Sequence, residues 1–245
     1  MHPRAKSWYG TGVKILKAEF IRQTYSDGGS IEQAGWYLKF VADLVFLVKP
    51  ALNEHDNGAI SDRLEKVYEF LDCITDNGEV YSYGDSDNGF ALSKYVEVNP
   101  SQNDTGKNGI QIFRDSGIVK FYQLDSIVYF DVGNLGMAPS FGHGHADALS
   151  VNFNYKGHPV LIDTGTYSYN LDTNLRNHFR STKAHNTVCL DGVDQSRQLS
   201  RFMWDGDVDV RVVCNKRFGW GQGVLARHEG YRDRLKCTHW RAVFV

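Results

Sequence analysis

Leu149-Ser150-Val151-Asn152-Phe153-Asn154-Tyr155, continued by Lys156-Gly157-His158-Pro159 and Val160-Leu161-Ile162, is the stretch on which the fold of this chain turns. Leu149, Val151, Phe153 and Tyr155 alternate with Ser150, Asn152 and Asn154. A period of two sends one set to each face of a strand. The alternation therefore predicts a half-buried antiparallel strand, and the Lys-Gly-His-Pro step predicts a turn into a second strand over 160–162. Apolar runs at 118–122, 127–132 and 208–212 add further strands at short spacing. That spacing is the pattern of an antiparallel β-sandwich.

Upstream the period changes. Val13, Leu16 and Phe20, then Trp36, Phe40, Leu44 and Leu47, then Leu64, Val67, Tyr68 and Leu71 recur at helical spacing. Three amphipathic helices are predicted. Asp27-Gly28-Gly29 separates the first two, Ser30 with Gln33 three residues on reads as a capping box for the second, and Pro50 lies just past its end. No 34-residue repeat is legible in these helices, so a canonical solenoid is unsupported, although the paired helices of a toroid need not repeat in sequence. Beyond about Asn77 the texture turns to Gly, Asp and Asn clusters, at 84–89 and 99–108. The boundary belongs there, giving a helical part over 1–100 and an antiparallel β part over 101–245. The segment 240–245 reads as a strand with nothing after it, and the first helix begins almost at Met1, so the chain reads as cut at both ends.

Composition narrows the function classes. The chain has 245 residues, with 27 Lys plus Arg against 29 Asp plus Glu and a net charge of −2. Such a balance gives no overall field that would single out nucleic acid or anionic lipid. The longest apolar stretch, 40–48, is interrupted by Asp43 and falls far short of the roughly 20 residues that span a bilayer, so no membrane insertion is expected. Residues 1–8 lack the apolar run of an export signal. Four cysteines without CxxC spacing read as buried or free thiols.

The densest chemistry lies in Ser140-Phe141-Gly142-His143-Gly144-His145-Ala146-Asp147. Histidines flanking a single glycine on extended backbone point to the same side. Asp163 follows the second strand, and His185 opens the run Ala184-His185-Asn186-Thr187-Val188, which reads as another strand. Two imidazoles and a carboxylate have the ligand chemistry for zinc; surface histidines and a turn aspartate are the plain alternative. Pattern alone makes Tyr37 a core residue of its helix and Arg180 a surface or ion-paired residue. The acidic loop at 84–89 lacks the spaced ligands of a calcium loop and reads as a solvated turn. Trp204, Trp220 and Trp240 read as sandwich core.

Three ordered runs carry a family resemblance: His143-Gly144-His145-Ala146-Asp147-Ala148-Leu149-Ser150, Pro159-Val160-Leu161-Ile162-Asp163-Thr164-Gly165-Thr166-Tyr167, and Arg180-Ser181-Thr182-Lys183-Ala184-His185-Asn186-Thr187-Val188. Together they closely resemble the heparinase II/III-like polysaccharide lyases. The helical part is similar through Gln23, Asp27-Gly28-Gly29, Glu32-Gln33 and Tyr37, with Leu38 where the family often has histidine. The resemblance implies the end of an α/α-toroid followed by the start of an antiparallel β-sandwich. It also implies Tyr37 and His143 as catalytic residues, with zinc held by His145, Asp163 and His185 in a mainly structural role. Arg180 is the candidate contact for a sugar carboxylate. The family's Asn-His pair, which helps neutralise the substrate carboxylate, has no match before Tyr37, and Asn177-His178 stands in the wrong place.

The function so implied is β-elimination on a uronic-acid-containing polysaccharide: loss of the C5 proton and expulsion of the 4-linked oxygen. The expected place is the periplasm or cell surface, and the isolated fragment is expected to be inactive. The glycan itself, whether heparan-type, alginate or a bacterial surface polysaccharide, is left open, as is the oligomeric state. Two other classes stay open: a non-catalytic polysaccharide-binding protein of glycan synthesis or export, and a zinc-dependent hydrolase.

Overall fold

The computed structural model describes residues 2–76, 79–86 and 108–245. The expected boundary at 100/101 lies outside the described residues, as does nearly all of the polar stretch 99–108.

The three helices form at the expected places: α1 Ala5–Gln23, α2 Gly35–Val48 and α3 Glu54–Cys73. The Asn53 side chain caps α3 by accepting from the Asp56 N–H at 2.8 Å, satisfying one of the donors orphaned at a helix start. The buried stripe of α2 differs from the sequence expectation. Leu38, Ala42 and Val45 are buried, whereas Phe40, Leu44 and Leu47 are 38%, 41% and 41% exposed. The helix is apolar on nearly every face, so its period reveals a helix but not which side α3 covers. Leu38, Ala42 and Val45 pack with Phe20, Leu64, Val67 and Leu71.

The capping box does not form. The first turn of α2 is preceded by Ala34, without a side-chain cap, and Gln33 takes a left-handed φ of 53°. Its Nε2 instead donates to the Ser116 carbonyl at 2.9 Å, reaching from the helical layer to the sheet. Asp27 makes the same crossing. Its carboxylate accepts from the N–H groups of Asp115 at 2.8 Å and Ser116 at 3.0 Å, and from the Ser116 hydroxyl.

The main sheet is an antiparallel meander of five strands: β3 Gly109–Phe113, β4 Ile118–Gln123, β5 Ser126–Asp131, β6 Val151–Tyr155 and β7 His158–Leu161. Ahead of it lies a short hairpin of β1 Thr75–Asp76 and β2 Glu79–Val80. A second sheet joins β10 Val210–Phe218, β11 Gly221–His228 and β12 His239–Phe244. Val119, Phe121 and Phe130 of the first meet Val224 and Ala226 of the second in the sandwich core, joined by Leu149 from the turn before β6. The opposite face of the five-stranded sheet is covered as well, since Ile118 and Tyr129 join the helical core.

Double coverage corrects the reading of 149–155. The strand begins at Val151, because Leu149 sits at a φ of 60°, and Asn152 on the polar face is buried rather than solvated. The expected strand at 184–188 is also absent. A single 3-10 turn, Thr182–Ala184, leads into irregular chain there. No disulfide joins the four cysteines, and Cys73 is buried. Among the described residues, no helix is long and apolar enough to cross a membrane.

Candidate active site and metal centre

The chemistry gathers where two irregular connections meet the helical layer. One links β5 to β6. The other runs from β7 through α4 Thr173–Phe179 to the hairpin of β8 Gln198–Ser200 and β9 Met203–Trp204. The histidine run is pinned from several sides. Ala146 N–H donates to the Arg180 carbonyl at 3.0 Å, and the Trp204 indole donates to the Gly144 carbonyl at 2.9 Å. A Cβ on Gly144 would fall 1.6 Å from the Leu135 carbonyl oxygen, so only glycine allows this approach.

His145, Asp163 and His185 converge, each offering a ligand atom within 4.8 Å of the others. His145 Nδ1 and His185 Nε2 lie 3.2 Å apart, and His185 Nε2 lies 3.5 Å from Asp163 Oδ2. The outer ring nitrogens decide the tautomers. His185 Nδ1 faces the Ser181 carbonyl at 2.8 Å, and His145 Nε2 faces Asp85 Oδ1 at 3.0 Å. A carbonyl and a carboxylate only accept, so those nitrogens carry the protons, and the two lone pairs point at one another. Facing lone pairs repel unless a cation lies between them. Zinc–nitrogen bonds of about 2.0–2.1 Å at a tetrahedral angle place two nitrogens roughly 3.3 Å apart. The donor set therefore fits a zinc ion.

Asp85, in the loop read from sequence as a solvated turn, is fully buried beneath both histidines. Its Oδ2 lies 3.1 Å from His143 Nδ1, and Arg176 grips both carboxylate oxygens, Nη2 donating to Oδ2 at 2.6 Å. Burial alone would raise this carboxyl. The hydrogen bonds from His143, His145 and Arg176 outweigh burial and hold it well below the usual carboxylate range. Two neighbouring acids behave oppositely. Burial, reinforced by the Asp147 carboxylate, pushes Asp131 well above its ordinary value, and burial also raises Asp147 despite the nearby imidazoles of His185 and His145.

Tyr37, on α2, meets His143 edge to face with ring centroids 4.6 Å apart. Its hydroxyl is hydrogen-bonded to that of Tyr169, whose ring lies beside Phe202 and beneath the Arg176 guanidinium. The His143 side chain remains 32% exposed while the side chains of His145, Asp163 and His185 are buried, so this ring marks the open side of the cluster. The sequence singles out neither Tyr169 nor Arg176, and Asp85 enters it only within the acidic loop read as a solvated turn; Tyr169 and Asp85 lie in Gly-, Ser-, Asn- and Asp-rich loops without periodic pattern.

Arg180, the expected contact for a sugar carboxylate, is held inside the protein. The residue is wholly buried, its guanidinium donates to the Ser200 carbonyl at 3.0 Å and to that of Arg201, and it stacks over Trp204 at 4.6 Å. Burial, reinforced by neighbouring Arg176, lowers its pKa to about 10. It clamps the hairpin that carries Phe202. Of the three tryptophans read as core, only Trp204 is buried, with Trp220 70% and Trp240 52% exposed.

Residues 105–245, more than half of the chain, match the family model described as Heparinase II/III-like, C-terminal. The chain belongs to this family. It is a family of polysaccharide lyases, and the fold agrees. The crystal structure of heparinase III superposes with a TM-score of 0.74 at 19% identity, covering 99% of this chain and 42% of that one. A variant of the heparan sulfate lyase HepC from Pedobacter heparinus gives 0.75 at 18% identity, covering 99% and 40%. A further heparinase III gene product gives 0.73 at 21%, with the same coverage as HepC. The chain thus spans about 40% of the length of these heparinase-like structures. Comparison with curated proteins gives no significant match.

Proposed function

We propose that the chain supplies the catalytic Tyr37 and His143 and the zinc centre of a lyase that cuts uronic-acid-containing polysaccharide by β-elimination. One observation carries this reading: a tyrosine from the helical layer and a histidine from the sheet layer meet on the open side of a buried His-Asp-His set.

The C5 proton of a uronate is weakly acidic, so a base must take it while the adjacent carboxylate is relieved of developing charge. The phenol of Tyr37 and the imidazole of His143 divide the two proton transfers, one removing the C5 proton and the other protonating the departing 4-oxygen. The Tyr169 hydroxyl, bonded to that of Tyr37, fixes the phenol's direction. His145, Asp163 and His185 would hold zinc, which supplies a rigid cross-link between the two connections and so fixes the backbone that carries His143. Both metal-facing imidazoles and Asp163 are buried, which supports a structural ion over one that activates water.

Donors that neutralise the substrate carboxylate are not found beside Tyr37 among the described residues; Arg176 and Arg180 are both engaged elsewhere. In this proposal those donors come from toroid helices beyond this chain, and the chain alone is inactive. Such a substrate fits a protein of the periplasm or cell surface. The test is an assay of the complete polypeptide against heparan-type, alginate and bacterial surface glycans, reading the ultraviolet absorbance of the unsaturated uronate. Product with a new reducing end but no such absorbance would point to hydrolysis. Glycan binding without any product would point to a non-catalytic binding protein.

A further inference from the structure

We infer that Asp85, gripped by Arg176, is a positioning residue that orients the catalytic candidate His143 and the metal ligand His145 through one shared carboxylate; this rests on the reading of the site just given.

One carboxylate serves two imidazoles. Oδ2 accepts from His143 Nδ1 at 3.1 Å and Oδ1 from His145 Nε2 at 3.0 Å. An ionised carboxylate only accepts, so the proton of His143 stands on Nδ1, and the Nε2 lone pair is left for the reacting side. On His145 the same logic runs the other way, leaving Nδ1 for the metal. A carboxylate behind a metal-bound imidazole fixes both its tautomer and its ring plane. Here that carboxylate also fixes the tautomer of a ring that is not a ligand.

The carboxylate cannot swing away. Arg176, itself fully buried, holds both oxygens, and its guanidinium lies over the Tyr169 and Phe202 rings at 5.1 and 5.2 Å. A forked guanidinium matches a carboxylate in a way that a lysine ammonium does not. The backbone is held too: Asp85 N–H donates to the His143 carbonyl at 2.7 Å. Gly84 just before it takes a φ of +62°, and a Cβ there would fall 1.9 Å from the Gln33 carbonyl oxygen and 2.9 Å from that of His143. The loop is thus wedged between α2's approach and the histidine run, a placement made for a group whose position matters.

The full chain is tested as the wild type, Asp85→Asn and Arg176→Lys, without substrate. Nitrogen-15 NMR of the imidazoles reads the His143 tautomer in metal-free protein, and competition against a chelating indicator reads zinc affinity. The wild type is expected to hold His143 as the Nδ1–H form. In Asp85→Asn that preference is lost and zinc binding weakens about 10–100-fold, the usual cost of an outer-shell partner; Arg176→Lys shifts both in the same direction by less. Wild-type tautomer and affinity in Asp85→Asn would overturn the proposal. Should that variant fail to fold, Arg176→Lys decides, and wild-type values there overturn it equally. A wild type that binds no zinc would sink the metal centre while the tautomer measurement still decides the role of Asp85.

Discussion

Tyr37 and His143 meet with ring centroids 4.6 Å apart, one carried by α2 and the other by the connection between β5 and β6. Neither layer alone contains both groups. The proposed reactive pair exists only while the helical layer stays docked on the five-stranded sheet, so side-chain chemistry and layer docking can be tested separately.

On the chemistry, Tyr37→Phe in the complete polypeptide keeps the ring against His143 and removes only the hydroxyl. A positioned acid–base group typically contributes about 10²–10⁴-fold to rate. The expected outcome is a fall of that size in kcat with circular dichroism and thermal midpoint nearly unchanged. Retention of more than a tenth of wild-type turnover would remove Tyr37 from the reaction.

On the docking, Asp27→Ala deletes the acceptor for two backbone N–H groups and a hydroxyl at the 115–116 turn. Ser116 is buried, so its freed N–H finds no water. An unsatisfied buried donor costs about 1–3 kcal/mol. The midpoint of urea unfolding is expected to drop accordingly, with the slope unchanged.

The proposed metal centre makes a stability prediction. Zinc would bind only the folded His145-Asp163-His185 set, and a ligand at about 100 times its Kd adds roughly 2.7 kcal/mol to the fold it recognises. Elemental analysis should find one zinc per chain in the wild type and none in His185→Ala. Chelation should lower the thermal midpoint of the first and leave the second where it is.

Acid sensitivity should come from a different histidine pair. Gly230 N–H donates to His228 Nδ1 at 3.1 Å, so His228 is protonated on Nε2, which faces His239 Nδ1 at 3.0 Å. Burial, with His239 as neighbour, lowers His228 from 6.5 to about 3, and burial with Arg241 nearby lowers His239. Between about pH 6.5 and 3 the unfolded chain takes up protons at His228 that the folded chain refuses. Stability from this group is therefore complete above the unfolded value and falls as the pH drops, by roughly 1.4 kcal/mol per unit at the steepest. Denaturant unfolding at pH 7 and pH 5 checks this, and His228→Gln should flatten the difference.

Much of the architecture was legible because period and residue type report local geometry. Alternation marked β6, short apolar runs marked β4, β5 and β7, and the 3.6 period marked three helices. The set His145, Asp163 and His185 has the donor types a metal takes, but it was the family resemblance that set it apart from surface histidines and a turn aspartate. Where the reading slipped, a tertiary partner had decided. Which stripe of α2 is buried depends on α3, the burial of Asn152 depends on helices covering the second face of its sheet, and Gln33 abandons the helix cap for the Ser116 carbonyl. Asp85 is the plainest case. In sequence it lies in a Gly-, Ser- and Asp-rich loop, and only the fold supplies the Arg176 guanidinium that permits a buried carboxylate there.

The contact between Gly144 and the Leu135 carbonyl reaches beyond this one chain. Any sequence built on the same backbone has no choice at the middle of its His-Gly-His, because even the methyl of alanine would push the two imidazoles out of register. In a library randomised at residue 144, glycine should be the sole survivor of a selection for zinc retention. A candidate relative bearing some other residue between the two histidines should be suspected of holding them on a differently shaped loop.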